Sequence, residues 1–134
     1  MQYMLLIYLD ENAASEADRE KCYAESAEYA QQLSARGQYL AAAPLHPTST
    51  ATTLRVRDGK RLVTDGPFAE TREQLGGFYL IDAADLDDAI TIAAGIPAGR
   101  WGTVEIRPVM EIRGLPEESI VRRVDLAHSR SIHS

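Results

Sequence analysis

The alternation of strand-like and helix-like segments is the feature of this sequence that most constrains its fold. Two β-α-β segments are predicted from apolar periodicity, and a hairpin separates them. Their predicted elements are, in order, a strand over 3–9, a helix over 16–36, a short strand over 38–43, a strand over 75–82, a helix opened by Asp85 and Asp88, and a strand over 103–112. Right-handed crossovers place both helices on the same face of one sheet. The order therefore predicts an α+β, ferredoxin-like fold with an antiparallel sheet.

Local signals support these elements. Ser15 with Asp18 resembles a capping box at the start of the first helix. Gly37 follows that helix where chains commonly leave through the left-handed conformation. Asp58-Gly59 is a preferred two-residue hairpin turn and lies between the strand-like runs 52–57 and 60–64. The hairpin is thus expected to be an insertion between the two β-α-β segments.

The two longest predicted strands are apolar on both faces. Tyr3–Leu9 and Phe78–Ile81 show this most clearly. Two helices cover only one face of the sheet, and a large exposed apolar patch is rare on a monomer. We therefore expect a homodimer formed through the helix-free face of the sheet.

Composition excludes several classes of protein. The 134 residues suit one domain, and the formal net charge of −6 argues against nucleic-acid binding, which needs a concentrated basic surface. Cys22 is the only cysteine, so an intrachain disulfide and a cysteine-rich metal site are excluded. No metal-ligand spacing and no nucleotide-binding glycine motif occurs, so we expect neither a metal nor a cofactor.

The first apolar run is too short for a signal peptide or a membrane span. It covers residues 3–9, follows no basic segment and meets Asp10. We therefore expect a soluble cytoplasmic protein with no membrane partner.

The segment from Asp65 to Asp82, DGPFAETREQLGGFYLID, is the most distinctive local pattern. It joins a Gly-Pro turn, a charged loop and a Gly-Gly pair to an apolar strand. Together with YMLLIYL, PLHPTSTATTLRVRDGK and VEIRPVMEI, it resembles the DGPF subgroup of the YCII-related family, over about residues 3–112.

The resemblance implies a ferredoxin-like fold of the dimeric α+β barrel type, with related proteins forming dimers. DGPF-type proteins resemble companions of extracytoplasmic-function sigma factors, and other YCII-related proteins look like lactone dehalogenases or isomerases. Founding members resemble enzymes with a His–Asp pair whose histidine lies on the first helix. Ser26 stands at about that position here, which puts chemistry that depends on the histidine in doubt.

The resemblance also suggests a boundary near residue 113. We expect a YCII-related domain over 1–113 and a tail over 114–134 that is partly helical or mobile.

Two polar residues are candidates for catalysis. Asp65 ends a predicted strand before Gly66-Pro67, so its carboxylate either acts as an acid, base or ligand anchor or accepts N–H bonds within its own turn. His46, between Leu45 and Pro47, is the only histidine within the domain and either acts as a general base or is simply exposed.

Five further residues are candidates for ligand binding. Arg72 suits a carboxylate or phosphate, although a solvated charge in a loop explains it as well. Arg100 precedes Trp101, a pairing typical of binding sites and interfaces. The aromatic residues Tyr8, Phe68 and Tyr79 are expected to line an apolar cleft or to belong to the core.

Two functions follow from these residues. The first is a small-molecule-binding or regulatory module linked to a sigma factor, which the absence of a helix-1 histidine favours. The second is a cofactor-free enzyme acting on a small organic acid or lactone, in which Asp65 moves protons, His46 assists and Arg100 holds a carboxylate. Asp65 and His46 converging on a closed cavity would favour the enzyme, whereas both in open solvent would favour the module.

Overall fold

A computed structural model describes residues 1–116. Six strands and two α-helices make up this part of the chain, together with two short 3₁₀ helices, Thr48–Thr50 and Pro97–Trp101. The main elements are β1 Gln2–Leu9, α1 Glu16–Ala35, β2 Tyr39–Pro44, β3 Thr52–Arg57, β4 Lys60–Asp65, β5 Gln74–Asp82, α2 Leu86–Ala94 and β6 Gly102–Pro108. Most of the predicted tail, residues 117–134, lies outside the described residues.

Four strands form an antiparallel sheet in the order β2-β5-β1-β6. The two central strands are the apolar ones, β1 and β5, with Leu5 opposite Tyr79. Their helix-facing side chains join residues of α1 and α2 in one core, in which Leu5, Leu33 and Ile81 are fully buried. Both helices therefore cover the same face, and the ferredoxin-like α+β fold is confirmed.

The ends of α1 follow from its capping residues. Ser15 Oγ accepts the Asp18 N–H at 3.1 Å, and the Asp18 carboxylate accepts the Ser15 N–H at 3.3 Å, which confirms the capping box. At the other end Gly37 has a φ of +72°, and the Gln38 N–H returns to the Leu33 carbonyl at 2.9 Å. The chain then turns directly into β2.

Strands β3 and β4 form a separate two-stranded sheet, which we call the hairpin arm (residues 52–65). Its turn residues Asp58 and Gly59 have φ values of +53° and +73°, as expected for a primed hairpin turn. At its base the Gly66 N–H donates to the Ala51 carbonyl at 2.8 Å. The arm does not pair with the four-stranded sheet.

The second β-α-β segment, β5-α2-β6, completes the four-stranded sheet. Asp85 caps α2, because its carboxylate accepts the Asp88 N–H at 2.9 Å. Strand β6 is an edge strand and ends at Pro108, four residues before the predicted end at Ile112. Pro108 itself has no N–H to donate, and the last backbone bond to β1 runs from the Val109 N–H to the Gln2 carbonyl at 2.9 Å.

The face of the sheet away from the helices is also apolar. Met4, Leu6 and Phe78 alternate with the helix-facing side chains and are half-buried in the single chain, whereas Leu80 is buried.

Among the described residues, no helix is both long enough and apolar enough to cross a bilayer.

Candidate functional site

Helix α1 covers the sheet without packing tightly against it. Of its 20 residues only Cys22 and Leu33 are buried, and the residues between them on the same face include Ser26 and Ala30. Such short side chains cannot fill the space that separates the middle of a helix from a sheet. A cavity of about 520 Å³ therefore remains between α1, β2, β5 and the loop after β1.

The strand floor of this cavity is also made of small residues. Ala42, Gly76 and Gly77 line it from β2 and β5. A Cβ atom at residue 77 would lie 3.0 Å from the Ala43 carbonyl oxygen and 3.3 Å from Pro44 Cα, so glycine permits the close pairing of the two strands. The small residues thus serve both strand pairing and cavity volume.

Larger apolar and aromatic residues complete the walls of the cavity. Those that line it are Ile7, Leu9, Tyr23, Tyr39, Leu45, Tyr79 and Trp101. The Trp101 indole nitrogen is buried and has no hydrogen-bond acceptor among the described residues. This nitrogen has almost no accessible surface, so Trp101 contributes apolar surface to the wall.

Charged side chains gather at one end of the cavity, which we call its mouth. Asp10, Glu11, Asp18 and Arg19 line it there. The Glu11 carboxylate accepts both the backbone N–H and the hydroxyl of Thr48 at 2.8 Å, which fixes the loop after β2 beside the loop after β1. The mouth thus combines three carboxylates with one guanidinium.

Polar contacts hold α1 in place over the cavity. The Tyr79 hydroxyl donates to the Ser26 carbonyl at 2.9 Å, and the Tyr29 hydroxyl donates to the Ile92 carbonyl at 2.6 Å. Arg100 forms an ion pair with Glu25 at 2.7 Å. Hydrogen bonds and an ion pair therefore help to position the helix, in addition to apolar burial.

Burial raises the pKa of two of these tyrosines. It is the main cause for Tyr79, where the Ser26 side chain lowers the pKa in part, and for Tyr29, where nearby Arg36 opposes the rise. Both groups are neutral donors at neutral pH. Because their folded-state pKa values lie above the unfolded value, their contribution to stability is complete below about pH 10 and declines as pH rises through the folded pKa.

Replacing Tyr79 with phenylalanine is expected to change how the free energy of unfolding depends on pH in the alkaline range. At neutral pH Tyr79→Phe loses the bond to Ser26 and is less stable by about 1 kcal/mol. Above about pH 10 the difference in unfolding free energy between wild type and Tyr79→Phe becomes smaller, because the variant has one fewer buried phenol to ionise. Urea unfolding at pH 7 and in the alkaline range measures both effects. Tyr23→Phe, at a half-exposed position, is the control, and parallel pH profiles for wild type and Tyr79→Phe would contradict this account.

The structure places the predicted ligand-binding residues in different surroundings. Tyr79 lines the cavity, and Arg72 pairs with Asp10 of the mouth at 3.4 Å while itself remaining exposed. Arg100 holds α1 through Glu25. These three lie in or beside the cavity.

Two others lie away from it. The Tyr8 hydroxyl donates to Glu105 at 3.3 Å, and burial together with that carboxylate raises the pKa of Tyr8. Phe68 is 74% exposed, with the Arg55 guanidinium 4.9 Å from its ring centre. Neither residue is among those that line the cavity.

The predicted catalytic residues are both exposed. Asp65 ends β4, pairs with Thr52 in the hairpin arm and does not line the cavity. His46 lies between Leu45 and Pro47, which do line it, while its own side chain is exposed and does not. No hydrogen bond joins the two side chains. The structure therefore does not bring them together around the cavity.

Sequence reasoning did not single out Glu11, Arg19 and Tyr39 as site residues. The available signal was the scarcity of large apolar residues on a 20-residue helix, combined with the small runs Ala41–Ala43 and Gly76-Gly77 on two strands. Small residues that face each other across two layers indicate a cavity. Within residues 1–116, no group of three or more His, Cys, Asp or Glu side chains is placed to hold a metal ion.

Comparison with known proteins agrees with this architecture. The fold resembles that of 5-chloro-2-hydroxyhydroquinone dehydrochlorinase from Burkholderia phenoliruptrix AC1100, solved in complex with 2,5-dihydroxybenzoquinone, with a TM-score of 0.51 and 15% sequence identity over 84% of this chain and 97% of that one. An uncharacterized protein of Rhizobium meliloti (strain 1021), R00369, is 40% identical over 114 residues, which cover 81% of this chain and 92% of the relative. The family model for the YCII-related domain matches residues 1–113. This chain therefore belongs to the YCII-related family.

Proposed function

We propose that this protein binds a small, mainly apolar organic molecule in the cavity beneath α1. The cavity of about 520 Å³ is the observation that supports this most directly, because ligand pockets typically measure about 300–1,000 Å³. A core of this size normally has few voids larger than a water molecule. A cavity of this volume, lined by aromatic residues, suits occupation by a ligand.

The lining indicates the kind of molecule that fits. Tyr39, Tyr79 and Trp101 offer faces and edges against which a planar ring packs well. A ring compound therefore suits the cavity, and 2,5-dihydroxybenzoquinone, present in the structure of the similarly folded dehydrochlorinase, serves as a probe of this kind.

A binding role fits the geometry better than catalysis by Asp65 and His46. Both side chains are exposed, and neither lines the cavity. A general base must come within hydrogen-bond reach of the proton that it removes. The catalytic roles of these two residues stay predictions, as does an association with an extracytoplasmic-function sigma factor.

We also propose that the protein forms a homodimer through the helix-free face of the sheet. Met4, Leu6 and Phe78 support this, because they form an apolar strip across the central strands of that face. Dimerisation would cover this strip and leave the cavity beneath α1 accessible.

The binding function is tested with two probes of defined chemistry. We expect the full chain to bind 1-anilinonaphthalene-8-sulfonate saturably at one site per chain, and 2,5-dihydroxybenzoquinone to displace it. Fluorescence titration and isothermal calorimetry measure the two events. The proposal is contradicted if neither probe binds the folded chain at concentrations up to about 1 mM. That result would mean a binding free energy weaker than about −4 kcal/mol for both probes.

Asp65→Asn tests whether Asp65 takes part in ligand binding. The substitution keeps the side-chain shape and removes the charge at an exposed position outside the cavity. We expect probe affinity within about twofold of wild type and a change in unfolding free energy within about 0.5 kcal/mol. A fall in affinity of about tenfold or more at unchanged stability would instead assign Asp65 to the site.

A further inference from the structure

The hairpin arm exposes a row of apolar side chains that the rest of the described chain does not cover. Eleven of the twelve residues of β3 and β4 are exposed. Leu54, Val56, Leu62 and Val63 have between 51% and 59% of their surface accessible. An isolated two-stranded hairpin is marginally stable in water, so an arm of this kind needs a further surface to pack against.

Strand register divides these side chains between two faces. Directly opposed residues share a face, so Leu54 and Val63 lie together and Val56 follows beside them. Leu62 lies opposite Arg55 on the other face, where the Arg55 guanidinium covers the ring of Phe68. The first face, which we call the apolar face of the arm, therefore has no cover of its own.

The charge of the arm is opposite to that of the rest of the chain. Residues 52–65 contain four basic side chains, Arg55, Arg57, Lys60 and Arg61, and two acidic ones. The whole chain has a net charge of −6, so the other 120 residues have a net charge of −8. Helix α1 alone has five acidic and two basic residues over 16–35.

We propose that the hairpin arm docks on a second copy of this chain, with its apolar face buried against that copy. Opposite charge favours this partner, because a basic arm is attracted to an acidic body and is repelled by another arm. A six-residue strand is about 20 Å long, which is enough for the arm to cross an interface. The arm contacts are separate from those of the helix-free sheet face and add to them.

Two matched leucine substitutions test the arm. Leu54→Thr removes apolar surface from the apolar face, whereas Leu62→Thr makes the same change on the opposite face at nearly the same exposure, 54% against 51%. Threonine preserves the strand propensity of both positions. Sedimentation velocity of the full chain over a concentration series is expected to show a dimer Kd raised at least about tenfold by Leu54→Thr and changed less than about twofold by Leu62→Thr.

A charge reversal provides an independent measurement. Arg61→Glu, opposite Val56 on the apolar face, is expected to weaken the dimer several-fold. Raising NaCl from about 50 mM to about 500 mM should weaken the wild-type dimer while affecting the Arg61→Glu variant less. Thermal unfolding of each variant confirms that the fold is retained.

Three outcomes would overturn the arm proposal. The first is a wild-type chain that is monomeric at about 100 μM, which would leave a different partner for the apolar face. The second is an equal dimer Kd for Leu54→Thr and Leu62→Thr. The third is a dimer that Leu6→Thr dissociates and that neither arm variant affects, which would assign the whole interface to the helix-free sheet face.

Discussion

Gly102→Ala is expected to destabilise the protein by about 3 kcal/mol or more and to lower its melting temperature by about 10 °C. Residue 102 begins β6 and pairs with Leu9 at the end of β1. An added Cβ atom would overlap the Tyr8 carbonyl oxygen and lie 2.9 Å from the Tyr8 carbonyl carbon and 3.2 Å from Leu9 Cα. These are backbone atoms, so relief requires the two strands to separate.

Gly99→Ala is the matched control for this substitution. The nearest atom to a Cβ at residue 99 is Val104 Cγ2 at 3.7 Å, an ordinary van der Waals contact. We expect a change within about 0.5 kcal/mol. Urea unfolding measured by circular dichroism gives both values. Equal stability of the two variants would contradict the prediction, because it would mean that β6 moves away from β1 without lowering the free energy of unfolding.

Ala30→Phe is expected to abolish probe binding while leaving the protein folded. Ala30 lies on α1 and lines the cavity, so a phenyl ring there occupies the volume that a ligand needs. We expect the Kd of 1-anilinonaphthalene-8-sulfonate to rise by about 100-fold or more, equivalent to about 2.7 kcal/mol. Stability is expected to stay the same or to rise, since the ring fills empty space.

Ala24→Phe is the control for the cavity substitution. Ala24 lies on the same helix, so the same substitution makes the same change in helix propensity. Ala24 is exposed and does not line the cavity. We expect its affinity for the probe to match that of wild type. Equal affinity in Ala30→Phe and wild type would place the bound probe elsewhere, for example on the exposed face of the hairpin arm.

Much of the fold was predictable because its signals are local. The capping box at Ser15, the left-handed Gly37 and the Asp58-Gly59 turn each act within a few residues, and each has the predicted geometry. The element order then leaves few ways to arrange a sheet with right-handed crossovers. The family resemblance led to the same fold.

The candidate site was less predictable because it depends on distances between elements. The cavity exists because α1 is held away from β2 and β5, and no pattern within one element specifies that separation. Tyr8, Phe68 and Tyr79 were expected to line a cleft or to belong to the core. Tyr79 belongs to the core and lines the cavity, whereas Tyr8 and Phe68 do not line it. For Asp65, the local turn was clear, but its place in an arm separate from the main sheet depends on tertiary structure.

The use of alanine, serine and glycine around the cavity has a consequence for the divergence of the family. The residues of α1 that set its shape, such as Ala27 and Ala30, are distinct from those that the core depends on, such as Leu5 and Ile81. Substitutions at the first group reshape the cavity at little cost in stability, because they add atoms to empty space. On the proposed binding function, a relative with a single substitution there is expected to bind a different ligand while keeping the same fold. A ligand identified for one member is consequently weak evidence for the ligand of the next.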